Sequence, residues 1–224
     1  TLVQQGHEVL LLGRNSEKLG WLAEELAQPW AVFDLRDTVR LEVILRQHAG
    51  EPAALDGVVN CIGSILLKPA HSTSDEEFRE ILEINLLSAF VTVRAASRML
   101  RGRGGAVVLI ASAAAEIGIP NHEAIAAAKG GVIGLTRSAA ATYAAHSIRV
   151  NAISPGLIRT EMTRRIWEQP ASAEASMELH PLGRLGDPEH VASLAAWLLE
   201  PRNNWITGQV IGVDGGLGRA LARR

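Results

Sequence analysis

Residues 119–136 read IPNHEAIAAAKGGVIGLT, the opening of a helix that carries one lysine, Lys129. An ammonium there can support a proton relay if a hydroxyl or carboxyl stands one turn away. Four residues before Lys129, however, stands Ile125, whose side chain can neither give nor take a proton. Nearby in sequence lie His122 and Glu123. Imidazole is the group best matched to proton transfer near neutral pH, so His122 is a candidate surrogate acid. Ser112 and Asn85 offer a hydroxyl and an amide. Arg14, followed by Asn15 and Ser16, offers a guanidinium suited to a phosphate. The single thiol, Cys61, reads as a small core residue rather than a nucleophile.

These groups can act together only if the chain gathers them. Short apolar runs at 8–13, 31–35, 55–63, 105–112, 148–154 and 208–216 read as strands. Helical spacing covers 16–27, 37–48, 72–100, 121–145 and 187–200, with a mixed segment up to about 186. Ser16 is expected to cap the first of these helices, and Ser74 with Glu77 forms a capping-box pattern in the third. Strand–helix alternation predicts an α/β fold: one doubly wound, parallel, three-layer domain of Rossmann-like form. Ligands in such sheets sit at the carboxyl ends of the strands. Those ends hold Gly13-Arg14-Asn15-Ser16, Asp34, Asn60-Cys61-Ile62-Gly63, Ser112 and Ser154-Pro155-Gly156. Five small or polar strand ends favour a nucleotide site.

Composition narrows the classes. Apolar residues make up 47% and charged residues 21% of 224, which is ordinary globular usage. A net charge of −2 gives no electrostatic case for nucleic acid or an anionic membrane. One cysteine excludes an internal disulfide and is compatible with a reducing compartment. No apolar run approaches the roughly 18 residues of a membrane span, and no signal-peptide pattern appears. The cytoplasm is the expected location, and no metal site is expected.

Several stretches together resemble the short-chain dehydrogenase/reductase family in its compact form, typified by 3-oxoacyl-acyl-carrier-protein reductases. They are NCIG (60–63), EINLLSAF with Asn85, VVLIAS with Ser112, Lys129, IRVNAISPGLIRTEM, PLGRLGDPEHVA and ITGQVIGVDGG. The resemblance spans essentially the whole chain. It implies hydride transfer between a nicotinamide cofactor and a small carbonyl or alcohol substrate. On its register Lys129 holds the nicotinamide ribose, Ser112 orients the carbonyl, and Asn85 keeps a water relay in place. Asn60, Cys61 and Gly63 would lie against the cofactor. Pro155, Gly156, Ile158 and Thr160 match the segment touching the nicotinamide amide, and Asp34, with Leu35 beside it, the adenine contact. Arg14 at the end of the first strand favours NADP over NAD. Residues 160–186, with Met162, Trp167 and Met177, match a segment that covers substrate. The long helices match a four-helix interface, implying a homodimer or homotetramer.

Two departures matter. The family's active site has Tyr where this chain has Ile125, thirteen residues after Ser112 and four before Lys129. The one tyrosine, Tyr143, lies eighteen residues further on, roughly 27 Å along a helix. The family also opens with a strand and a Gly-x-x-x-Gly-x-Gly turn that holds the pyrophosphate. Thr1 falls just after that turn, and TLVQQGH reads as the last turns of a helix ended by Gly6. The expectation is therefore an N-terminally incomplete domain, with a slot about 10 Å wide between the strands at 8–13 and 57–61. The alternative is that these two strands close directly on each other. Three functions follow: a reductase with an unusual proton donor (His122, or a water held by Lys129 and Asn85), a dinucleotide-binding protein without turnover, or a structural remnant.

Overall fold

The computed structural model describes residues 1–50 and 55–221. In chain order the main elements are β1 (Leu11–Gly13), α1 (Ser16–Leu26), β2 (Trp30–Val32), α2 (Arg40–Ala49) and β3 (Gly57–Asn60). Then come α3 (Asp75–Leu82), α4 (Ser88–Leu100), β4 (Gly105–Ile110), α5 (Glu123–Tyr143) and β5 (Ile148–Pro155). The chain continues through α6 (Arg164–Trp167), α7 (Pro170–Leu179), α8 (Pro188–Leu199) and β6 (Val210–Val213). The alternation expected from the sequence is present, and every strand pair is parallel.

Why the sheet lies between two helical layers is visible in β4. Successive strand side chains point to opposite faces. Val107 and Leu109 pack with Val93, Ala96 and Leu100 of α4 and Val132 of α5. Val108 turns the other way, onto Ala195 and Leu198 of α8. Seven of the eight residues of β5 are buried, as its run of Ile, Val and Ala requires of a central parallel strand.

The ladder is broken in one place. Among the described residues β1 pairs only with β2, while β3, β4, β5 and β6 form a separate sheet in that order. Between β1 and β3 runs a cavity of about 1250 Å³, lined among others by Leu10, Leu12, Val58, Asn60, Cys61 and Thr92. The two strands do not close on each other, so the slot expected from the sequence is real. What spans it is side-chain packing: Phe33, Leu35, Leu41, Ile44 and Leu45 meet Val91, Ala95 and Met99 of α4.

Three local readings are corrected, and one is filled in. The cap of α1 is Asn15, whose side chain accepts from Lys18 N–H, not Ser16. The helix expected over 72–100 is interrupted at Glu83–Leu87 by one π-helical turn; the capping box of Ser74 and Glu77 does open α3. The mixed segment contains α6 and α7, the latter with Pro170 in its first turn. Cys61 is exposed rather than a core residue, because it lines the slot. Gly6 does end the opening turn, at φ 86°.

Candidate functional site

Lys129 follows Ile125 by one turn near the start of α5, and its side chain crosses to the carboxyl end of β4. There Nζ donates to the carbonyl of Ile110 at 2.7 Å. The residue is only 7% exposed, and no carboxylate forms an ion pair with it among the described residues. Burial therefore lowers its pKa from 10.5 to about 8, with the Cys61 sulfur near enough to exert a smaller opposing influence. The Cys61 thiol is itself pushed up by its surroundings, with Lys129 acting the other way.

Asn85 sits in the π turn and is almost fully buried. Single π turns insert one residue into a helix and change where side chains point. Here the turn is tied by the Asn85 side chain. Its Nδ2 donates to Ile81 O and Ser64 Oγ, both at 3.1 Å. Its Oδ1 accepts from Ser64 N–H at 3.2 Å. The loop after β3 is thereby held over α5. A Cβ at Gly63 would lie 3.2 Å from Asn85 Oδ1 and 3.7 Å from Lys129 Nζ. Gly63 keeps that space open. Asn60 steadies the same loop from below, its Oδ1 accepting from Ile62 N–H at 2.9 Å and its Nδ2 donating to Ser88 Oγ.

The other expected residues divide. Ser112 lies two residues beyond β4, where its Oγ accepts from Ala114 N–H at 3.2 Å and caps a short turn. His122 precedes α5, and its Nδ1 donates to the carbonyl of Pro120 at 2.7 Å; no hydrogen bond joins it to Lys129 or Ser112. Ile125 is 4% exposed and packs with Ile81, Leu66, Leu82, Ala124 and Ala128. Tyr143 is at the far end of α5. Arg14 is exposed and has no side-chain partner among the described residues. Ser16 follows it as the first residue of α1. Asp34 accepts from Arg36 N–H, and the Leu35 side chain belongs to the core beside α2. Pro155 closes β5 and Gly156 follows it. Ile158 is buried and pairs with Gly186. Thr160 bonds Thr163 through its hydroxyl, and its carbonyl accepts from Trp167 Nε1 at 2.9 Å.

Sequence reasoning missed Ser64 and His180, which only long-range contacts place at the crevice. It also missed a Gly-x-x-x-Gly-x-Gly spacing at Gly212–Gly218, which begins in β6 and runs into the turn after it. That turn does not offer its amides to a phosphate. Asp214 takes them, with Oδ1 accepting from Gly216 N–H at 2.9 Å and Oδ2 from Gly218 N–H at 2.8 Å.

Parallel strands ending in one polar crevice define the Rossmann-like α/β class. Within it, this chain belongs to the short-chain dehydrogenase/reductase family. The family model described as Enoyl-(Acyl carrier protein) reductase matches residues 1–218. The chain is 35% identical to the inactive 2-(S)-hydroxypropyl-CoM dehydrogenase 2 of Xanthobacter autotrophicus, covering 96% of each protein. It is 32% identical to the 3-oxoacyl-[acyl-carrier-protein] reductase of Thermotoga maritima, over 96% of this chain and 89% of that one. A gluconate 5-dehydrogenase from Burkholderia cenocepacia, solved in complex with NADP and tartrate, superposes with a TM-score of 0.92. It shows 27% identity, with 98% of this chain and 89% of the other covered.

Proposed function

We propose that this chain is an NADP-dependent oxidoreductase of the short-chain type, acting on a ketone or secondary alcohol with a proton donor other than residue 125. The observation that carries the reading is the buried ammonium of Lys129, whose single hydrogen-bond partner among the described residues is the Ile110 carbonyl. An ammonium has three donors, and burying one without a counter-charge is costly. Sugar hydroxyls offer the acceptors it lacks. Gly63 has no side chain to press on the Asn85 amide or to cover the Lys129 ammonium, as contact of that ammonium with the nicotinamide-ribose end of the cofactor would need. Exposed Arg14 supplies a guanidinium for a 2′-phosphate, which favours NADP over NAD. The bound dinucleotide supplies or accepts the hydride.

The chain's own residues then have distinct tasks. Lys129 grips the ribose, and Asn85 holds the loop of Ser64 against it. Ser112, whose hydroxyl proton has no acceptor among the described residues, orients the substrate oxygen. The proton comes from a water held between Lys129 and Asn85, or from the imidazolium form of His122, whose Nδ1–H is held by the Pro120 carbonyl and whose Nε2–H has no partner among the described residues. Ile125 packs with Ile81, Leu66 and Leu82 and puts no polar group at that position, and an apolar or moderately sized substrate is expected beneath residues 160–186. Exposed Leu87 and Phe90, beside Leu82, Leu86 and Leu135, support a homodimer or homotetramer through α4 and α5.

A second reading, dinucleotide binding without turnover, draws support from the same Ile125, which has joined an apolar cluster, and from the inactive Xanthobacter relative. One set of measurements separates the two. Calorimetry is expected to show NADPH binding more tightly than NADH, and NADPH oxidation is followed over a panel of ketones and 3-oxoacyl thioesters. Ile125→Tyr restores a positioned acid and is expected to raise turnover by about 10²–10⁴-fold. It costs about 1–3 kcal/mol of stability through overpacking. Binding without turnover in the natural chain, with turnover in the tyrosine variant, establishes the second reading. Absence of binding with either nicotinamide overturns both.

A further inference from the structure

His180 follows α7 and is only 4% exposed. Its Nδ1 lies 2.6 Å from the carbonyl of Ser176. A carbonyl can only accept, so Nδ1 carries the proton. Leu157 N–H donates to Nε2 at 3.1 Å, so Nε2 presents its lone pair. The ring is therefore neutral, in the Nδ1–H tautomer, with both nitrogens committed.

The ring lies on two glycines. A Cβ at Gly156 would fall 2.5 Å from Nε2, and one at Gly215 would touch the His180 Cβ and Cδ2 at 3.5 Å. One imidazole thus joins three segments: the loop after β5, the end of α7 and the turn after β6. That junction matters because α6 and α7 bury no residue of their own. Elements with few buried contacts open most readily.

We infer that His180 is a positioning residue: its neutral ring pins the α7 end of the cover onto the Gly156–Leu157 backbone, and taking up a proton releases it. An imidazolium would aim its Nε2–H at the Leu157 N–H, donor against donor. The charged groups around the ring do not reverse this. From the turn after β6 comes Asp214, whose carboxylate is committed to Gly216 and Gly218. On the same turn Arg219 is paired with Glu116. From α7 come Glu174 and Glu178, both exposed, and beyond Pro181 comes exposed Arg184. The loop after β5 carries no charge before Arg159, which is paired with Asp187. The consequence for cofactor affinity rests on the proposed binding at residues 155–160; the release of the cover does not.

Amide hydrogen exchange at pH 8 and pH 5.5, corrected for intrinsic rates, tests this without any ligand. The Leu157 amide is expected to be protected at pH 8 and to lose at least about tenfold in protection at pH 5.5, the factor carried by one ordinary hydrogen bond. His180→Ala should lose that protection at both pH values and speed exchange across 170–179. His180→Gln supplies an acceptor that does not titrate, and should keep Leu157 protected at both. Equal protection of wild-type Leu157 at the two pH values, or unchanged protection in His180→Ala, overturns the inference. NADPH affinity measured over the same pH range should weaken in acid for the wild type and not for His180→Gln.

Discussion

At the residue scale, the cost and the use of Lys129 are the same fact. Its lowered pKa means that the folded protein sheds a proton near pH 8 while the unfolded chain keeps it up to about 10.5. Below pH 8 the full penalty is present, and stability rises between the two values as the unfolded chain binds the extra proton. The gap corresponds to about 3 kcal/mol. Lys129→Met removes the penalty but orphans the Ile110 carbonyl, so a net gain of about 1–2 kcal/mol at pH 7 is expected. Urea denaturation from pH 7 to 10.5 should show the wild type gaining on the variant as pH rises. NADPH affinity should fall in the variant; a residue that stabilises when removed but is needed for binding is the signature of a functional site. The spacing of Ser112, position 125 and Lys129 was legible in sequence. The burial of Ile125 among Ile81, Leu66 and Leu82 was not, because those partners come from other elements.

At the element scale, the π turn decides where Asn85 sits. An apolar pattern that runs on from Ile81 to Leu100 gives no hint of an inserted residue, so the sequence reads as one long helix. The interruption becomes visible only through Ser64, 21 positions away, which the Asn85 amide bonds at both ends. Asn85→Ala leaves Ser64 N–H and Ile81 O without that partner. The expected cost is about 2–3 kcal/mol in denaturant unfolding, with NADPH affinity lowered by about tenfold or more as the Gly63 loop loosens. Full affinity in this variant would remove Asn85 from the site. The cover helix α7 was more accessible to reasoning, since Pro170 in the first turn is a recognised start signal. Its weak amphipathic character concealed it.

At the scale of the whole molecule, the broken ladder divides the sheet into units of unequal strength. A two-stranded sheet is marginal by itself, and every residue of β1 and β2 is at least partly exposed. The unit is retained by the α2–α4 core and by Glu42. That carboxylate is held below its usual range by Arg46 on its own helix and then by Arg98 of α4, which bonds it at 2.6 Å. Native-state hydrogen exchange in rising denaturant should show β1 and β2 opening before β4 and β5. Within β3, amides facing β4 should exchange more slowly than those facing the slot. Simultaneous opening of all strands would show that the core transmits cooperativity without the ladder.

The amino-acid order alone determined the alternation of strands and helices, the family, and the register of Ser112, Ile125 and Lys129. All of these follow from local periodicity or fixed spacing. Tertiary structure alone decided that β1 and β3 stay apart, that Cys61 faces open space, and that the amide of Asn85 and the imidazole of His180 each tie distant segments together. Such outcomes depend on which side chains and backbone groups meet across tens of residues, and no local pattern encodes that meeting.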